Sequence, residues 1–168
     1  MKTPVLAALA LLVLTAQTPP PTTSADYADT ALPTSTFLKA DAVLAKTPVR
    51  PVSLVVVNDY PSRERGLMCV VSIPRARGMI FVFPNDSNPD FWMKNTLVAL
   101  DMVWVRANGT VTTVAANIPP TPDGTPDAEI AHRHGAGRYV IEFGGGDAAR
   151  LGLKPGAKIR LPKLTATQ

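Results

Sequence analysis

The sequence predicts a mostly β domain, a compact antiparallel barrel or rolled sheet of six or seven short strands with two short helices. Three observations carry this reading. Short apolar runs rich in Val and Ile recur at close spacing between turn residues. Proline occurs 17 times in 168 residues, about twice its usual share of roughly 5%, and proline breaks helices while marking turns and sheet edges. Asn108-Gly109 stands between two apolar runs and is the strongest hairpin signal in the chain. The strand–helix alternation of a doubly wound fold is missing.

The elements follow in order. Residues 1–16 read as an export signal: Lys2 gives the positive start, Val5 to Leu14 the apolar core, and Thr15-Ala16-Gln17 a small-residue cleavage point, with Leu14 fitting poorly at its −3 position. That apolar run is shorter than the roughly 20 residues a membrane span needs. Cleaved, or kept as an N-terminal anchor, it places the folded domain outside the cytoplasm, in a periplasmic or extracellular setting. No Cys follows it, so a lipid anchor is not expected. No later segment reads as a transmembrane span. Residues 17–46, with Pro19-Pro20-Pro21-Thr22-Thr23-Ser24, have the composition of a tether. The domain is expected over 47–164, with a short tail at 165–168.

Within the domain, Val52 to Val57 is a β-branched strand bounded by Pro51 and Asn58-Asp59. A short helix follows over Asp59 to Met68, capped by Asp59 or Ser62 with Pro61 in its first turn. Gly78 to Phe83 is a second strand, stopped by Pro84-Asn85. Phe91 to Val105 reads as one long strand or two joined at a bend. Asn108-Gly109 then pairs Met102–Arg106 with Thr110–Ala115. Asn117 to Glu129 is a long loop. Arg138 to Phe143 is another strand, Asp147 to Gly152 a helix of one or two turns capped by Asp147, and Lys158 to Leu161 the last strand.

Composition excludes several function classes. Net charge is +4, but the longest basic cluster, Arg63, Arg65, Arg75 and Arg77, is broken by Glu64 and apolar residues, so no nucleic-acid footprint is expected. Cys69 is the single cysteine, which rules out a disulfide within the chain. Its apolar setting fits a small buried hydrophobe.

The densest chemistry lies in Phe91-Trp92-Met93-Lys94-Asn95-Thr96, followed by Asp101. Two aromatics, a cation, an amide and a hydroxyl head an otherwise apolar stretch. One reading is a ligand site built from Arg65, Trp92, Lys94, Asn95, Thr96 and Asp101. Lys94 would supply a point charge, Asn95 a two-way hydrogen-bond partner, and Trp92 or Phe91 a stacking surface. The other reading is a buried polar knot, in which Asn95 and Asp101 satisfy loop backbone groups and Lys94 or Arg65 pairs with Asp101.

Other constellations are thinner. His132 and His134, with Glu129, could offer metal ligands, but three assembled ligands are not evident and a solvated loop explains them. Cys69 lacks the electropositive setting of a nucleophile. Asp86 and Asp90 fit a turn that bonds its own backbone, without the spacing of a calcium loop. Met68, Met79, Met93 and Met102 alternate with Val and Phe as core residues do. No cofactor and no metal are expected.

Taken together, Arg65-Gly66-Leu67-Met68, Gly78-Met79-Ile80-Phe81-Val82-Phe83-Pro84, the Phe91–Thr96 block with Leu100-Asp101, Asn117-Ile118-Pro119-Pro120, Arg138–Glu142 and Gly152-Leu153-Lys154-Pro155-Gly156 resemble, in order and spacing, the domain of unknown function family 192 (DUF192). The resemblance spans roughly Val52 to Leu161. It implies a small β-barrel-like fold, often exported, with no established activity. Relatives often carry Phe or Tyr at Cys69, a cysteine pair in the loop that here reads Thr121 to Asp127, and Gly-Asp where this chain has Gly156-Ala157. The resemblance therefore gives Cys69 no catalytic role.

Three functions fit these residues. The first is an exported, non-enzymatic module binding an envelope small molecule or protein through the Trp-Met-Lys-Asn-Thr face. The second is an envelope sugar or acyl hydrolase or transferase using Asp101 and Lys94 as acid and base. The third is a structural partner that adds an exposed sheet edge to another protein. A monomer is expected.

Overall fold

The computed structural model describes residues 37–43 and 50–167. The expected signal peptide and most of the expected tether lie outside the described residues. The described chain forms β1 (Phe37–Val43), β2 (Arg50–Val57), α1 (Tyr60–Arg65), β3 (Arg77–Ser87), β4 (Asp90–Trp92) and β5 (Leu100–Val105). It continues through β6 (Val111–Ile118), β7 (His132–His134), β8 (Gly137–Gly144), α2 (Asp147–Leu151) and β9 (Lys158–Arg160). Seven strands form one sheet in the order β6-β5-β8-β3-β2-β1-β9, and β4 pairs with β7 in a separate ribbon. Every pairing is antiparallel except β2 with β3.

The sheet is rolled. Its two outer strands meet through one bridge, Thr110 to Lys158. Beside that bridge the Ile159 N–H donates to the Gly109 carbonyl at 2.8 Å, and the Val111 N–H to that of Ala157 at 2.9 Å. A seam of one bridge is not a full ladder, so the sheet does not close into a barrel. Gly109 serves the seam twice. It takes φ +79° in the hairpin turn, and a Cβ there would stand 2.3 Å from the Ile159 carbonyl oxygen. Only glycine meets both demands.

Two local expectations are corrected and one open alternative is decided. β1 lies inside 17–46, the stretch composition assigned to a tether. Its Lys39 and Asp41 hide it from a pattern of apolar alternation, and it is held by ladders to β2 on one side and β9 on the other. Phe91 to Val105 is two strands in two different sheets, separated by residues 93–99, which turn instead of extending. In α2 the N-cap is Gly146, and Asp147 is the first helical residue. The Asp147 carboxylate accepts from Ala76 N–H at 2.9 Å and pairs with Arg150.

α1 forms as its sequence requires. The Asp59 carboxylate accepts from the Ser62 N–H at 2.8 Å. Gly66 ends the helix at φ +48°, its N–H donating to the Ser62 carbonyl at 3.0 Å.

The central strands are covered on both faces, which is why β5 is buried at every position and is apolar except for Asp101. One core collects Leu54, Ile80, Val103, Ile141 and Phe143 with Leu151 of α2 and Ile159 of β9. The opposite core collects Met79, Phe81, Met102, Trp104 and Val140 under Leu67, Val70, Met93 and Ile130. No helix among the described residues is long and apolar enough to cross a membrane.

Candidate functional site

Alternation along β8 sends Ile141 and Phe143 into the first core and Val140 into the second. Glu142 therefore faces the second core. It is 4% exposed. Among the described residues no hydrogen bond or ion pair reaches its carboxyl. Burial without a partner disfavours the charged form, and the Glu142 pKa is pushed up to about 8. The side chain is therefore largely a neutral acid at pH 7, one O–H donor with acceptor capacity left over.

Glu142 lines a cleft between the C-terminal end of α1 and the Phe91–Thr96 segment. The cleft is small, about 30 Å³, on the order of one or two waters. Arg65, Gly66 and Leu67 form one wall, and Trp92, Lys94 and Thr96 the other. Gly66 lets the first wall approach, because a Cβ at this φ would lie 3.2 Å from Cζ of Phe81.

Aromatic packing fixes the second wall. Phe91 packs edge-on against Phe81, centroids 4.8 Å apart, and against Trp104 at 6.1 Å. Trp92 projects to the rim, where the Lys94 ammonium lies 4.9 Å from its ring centroid. Lys94 also forms an ion pair with Asp127 at 3.0 Å. Thr96 is buried, its hydroxyl donating to the Lys94 carbonyl at 3.2 Å.

The structure thus brings Arg65, Trp92, Lys94 and Thr96 to one cleft. Asn95 and Asp101 do not line it. Asn95 takes φ +50° and Cys69 takes φ +60°, and the Cys69 N–H donates to the Asn95 carbonyl at 2.8 Å. Asparagine suits a left-handed turn better than most residues, which accounts for it in the motif. Asp101 is fully buried, and one carboxylate oxygen accepts from Asn117 N–H at 2.7 Å. The other accepts from Ala148 N–H at 2.8 Å, in the first turn of α2. Asp101 is the backbone-satisfying knot, and Lys94 pairs with Asp127 instead, so no Asp101–Lys94 acid–base pair is assembled.

The remaining candidates have structural partners. The His132 Nδ1 lies 2.7 Å from the Asp90 carboxylate across the β4–β7 ribbon. Among the described residues no three His, Cys, Asp or Glu side chains could hold a metal ion. Cys69 is buried, and that burial pushes its thiol pKa up, away from a reactive thiolate. The Asp86 carboxylate accepts from Ala107 N–H at 3.1 Å.

Glu142 is the cleft residue that motif reading passed over. Its signal was present: one carboxylate inside Tyr139-Val140-Ile141-Glu142-Phe143, a strand otherwise built for burial.

The DUF192 family model, described as an uncharacterized ACR, matches residues 42–161. The chain belongs to the DUF192 family. Two solved structures resemble this DUF192 domain. One, from Sinorhizobium meliloti 1021, is provisionally described as a transcription regulator. It is 28% identical, covers 76% of this chain and 97% of its own, and has a TM-score of 0.64. The other is a protein of unknown function from Novosphingobium aromaticivorans DSM 12444. It is 26% identical, covers 85% of this chain and 99% of its own, and also has a TM-score of 0.64. No curated protein matches the DUF192 chain in sequence.

Proposed function

We propose that this DUF192 domain is an exported, non-enzymatic binding module whose ligand enters the cleft between α1 and the Phe91–Thr96 segment. The observation that carries the reading is Glu142, a mostly buried residue whose carboxyl opens onto the cleft and has no hydrogen-bond or ion-pair partner among the described residues. Buried polar groups are nearly always hydrogen-bonded. Among the described residues no side-chain nitrogen or oxygen is both fully buried and without a partner, so the Glu142 carboxyl opens onto the cleft, where water or a ligand completes its bonding. Arg65, Lys94 and Trp92 at the rim supply charge and an aromatic surface. Export is supported by the apolar run Val5–Leu14 behind Lys2.

The hydrolase or transferase reading loses its acid, because both Asp101 oxygens are taken by backbone N–H groups. A regulator that inserts a helix into DNA is not favoured either. The described α-helices are six and five residues long, short for a major-groove recognition helix.

The test is native against denatured intact mass of the full chain, expressed with its own N-terminus and recovered from the envelope fraction. The expected result is an added mass in the native spectrum that disappears in Glu142→Ala and weakens in Lys94→Met. A bare protein mass, with no thermal shift on adding envelope extract, would count against the reading.

A further inference from the structure

We infer that the cleft recognises a carboxylate group, which accepts the Glu142 proton in a hydrogen bond and lies under the positive rim of Arg65 and Lys94. This rests on the reading of the cleft as a ligand site and names its ligand class.

Two observations select a carboxylate. The first is charge. From α1 the cleft is faced by Arg63, Glu64 and Arg65, from the 93–99 segment by Lys94, and from β8 by Glu142. With Glu142 protonated these side chains sum to a charge of +2. Asp127 offsets part of it at the outer edge through its exposed pair with Lys94. A cationic ligand would meet that positive rim before it reached the acid. The Arg63 guanidinium is occupied by the Asn58 and Val82 carbonyls, at 2.7 and 3.1 Å, which leaves its charge in place.

The second is size and donor count. A void of about 30 Å³ suits a flat group of a few atoms more than a tetrahedral phosphate. The floor presents one donor, the Glu142 O–H, which matches one carboxylate oxygen in a short acid–carboxylate hydrogen bond. The second oxygen is left for the rim cations. Phe91 and Trp92 flank the entrance, so an apolar or planar body attached to the carboxylate would lie against aromatic surface. Two larger grooves, near Arg160 and near Arg150, offer no buried carboxyl without a partner.

The arrangement ties binding to the proton on Glu142. Once Glu142 ionises, two carboxylates face each other in a buried site and affinity falls.

The experiment titrates the folded protein with acetate, methylammonium, methyl β-glucoside and inorganic phosphate, following backbone amides by nuclear magnetic resonance. Acetate is expected to shift the amides of Gly66, Leu67 and Trp92. Its affinity is expected to stay level from about pH 6 to 7 and to fall about tenfold per unit above the Glu142 transition. Glu142→Gln keeps a donor but cannot ionise, so binding within a few-fold of the parent and without that fall is expected. Lys94→Met, away from the floor, is expected to weaken acetate about tenfold. If methylammonium, the glucoside or phosphate shifts these amides and acetate does not, the carboxylate assignment is wrong while the cleft remains a binding site. If acetate binds elsewhere, or Glu142→Gln retains the pH dependence, the role given to Glu142 is wrong. If no probe shifts these amides, the carboxylate assignment fails, and the native-mass experiment decides the broader reading separately.

Discussion

Glu142 of β8 stands directly opposite Met102 of β5 on one side and Met79 of β3 on the other. Both methionines are buried, at 0% and 4% exposure. The flanking side chains on this face are thus methionines, weak acceptors that offer the carboxylate no donor.

Stability should therefore fall as pH rises through the Glu142 transition. The unfolded side chain ionises near the ordinary glutamate value of 4.5, the folded one at about 8. Between those values the native state holds a proton the unfolded chain has lost. The resulting contribution is fully present below about pH 4.5 and lost as pH climbs to about 8, at roughly 1.4 kcal/mol per unit where the two states differ fully. Thermal melts at pH 5 and pH 8 should show this loss in the parent and a much flatter profile in Glu142→Gln. An equal slope in both proteins would remove Glu142 as the cause.

Asp101→Ala should be the costliest of the single changes considered. It orphans the buried N–H of Ala148, at about 1–3 kcal/mol, and removes the acceptor of the half-buried Asn117 N–H, which water can partly replace. Urea melts read the loss directly. A shift of less than about 1 kcal/mol would show that water or neighbouring groups replace the carboxylate easily.

Lys94→Met should behave in the opposite way. The Lys94–Asp127 pair is exposed, with side chains 27% and 68% accessible, and such pairs are worth about 0–1 kcal/mol. Its melting temperature should stay within a few degrees of the parent while ligand affinity drops. A large loss of stability with unchanged binding would return Lys94 to a structural role.

Gly109→Ala should open the seam. The added methyl would meet the Ile159 carbonyl at 2.3 Å in a left-handed turn, a conformation that alone costs about 1–2 kcal/mol for a residue with a Cβ. Amide exchange should quicken first at Val111 and Ile159, whose N–H groups make the seam bonds. Exchange unchanged there would mean that the turn relaxes without moving β9.

Cys69 should resist a disulfide reagent in the native protein and react promptly in urea. Its thiol is buried and its pKa raised by that burial. Fast native labelling would mean that the Leu67–Val71 segment opens readily.

Much of the fold was legible because its signals are local. The Asn108-Gly109 turn, the Asp59 cap and the β-branched runs each act over a few residues and need no distant partner. What escaped depends on neighbours far along the chain. β1 exists as a strand because β2 and β9 offer it two ladders. The 93–99 segment departs from strand geometry because Asn95 turns to meet Cys69. The candidate site divides the same way. Trp92, Lys94 and Thr96 are conspicuous as a motif, and Asp101 is conspicuous for a role that proves to be backbone satisfaction. Glu142 gains its meaning from the two methionines opposite it and from the cleft beside it, which strand pairing alone creates.

The seam between β9 and the Asn108-Gly109 turn also orders events in time. β9 pairs with β1, the earliest strand described, and bridges to Thr110 near the middle of the chain. A chain made from its N-terminus leaves β1 and β6 with bare edges until residues 158–160 arrive. Contacts this distant in sequence form slowly, and bare edges recruit strands from other molecules. The few residues of β9 thus act as a closing clasp, and a chain cut short of Lys158 would be left prone to aggregate however sound the rest of its sequence.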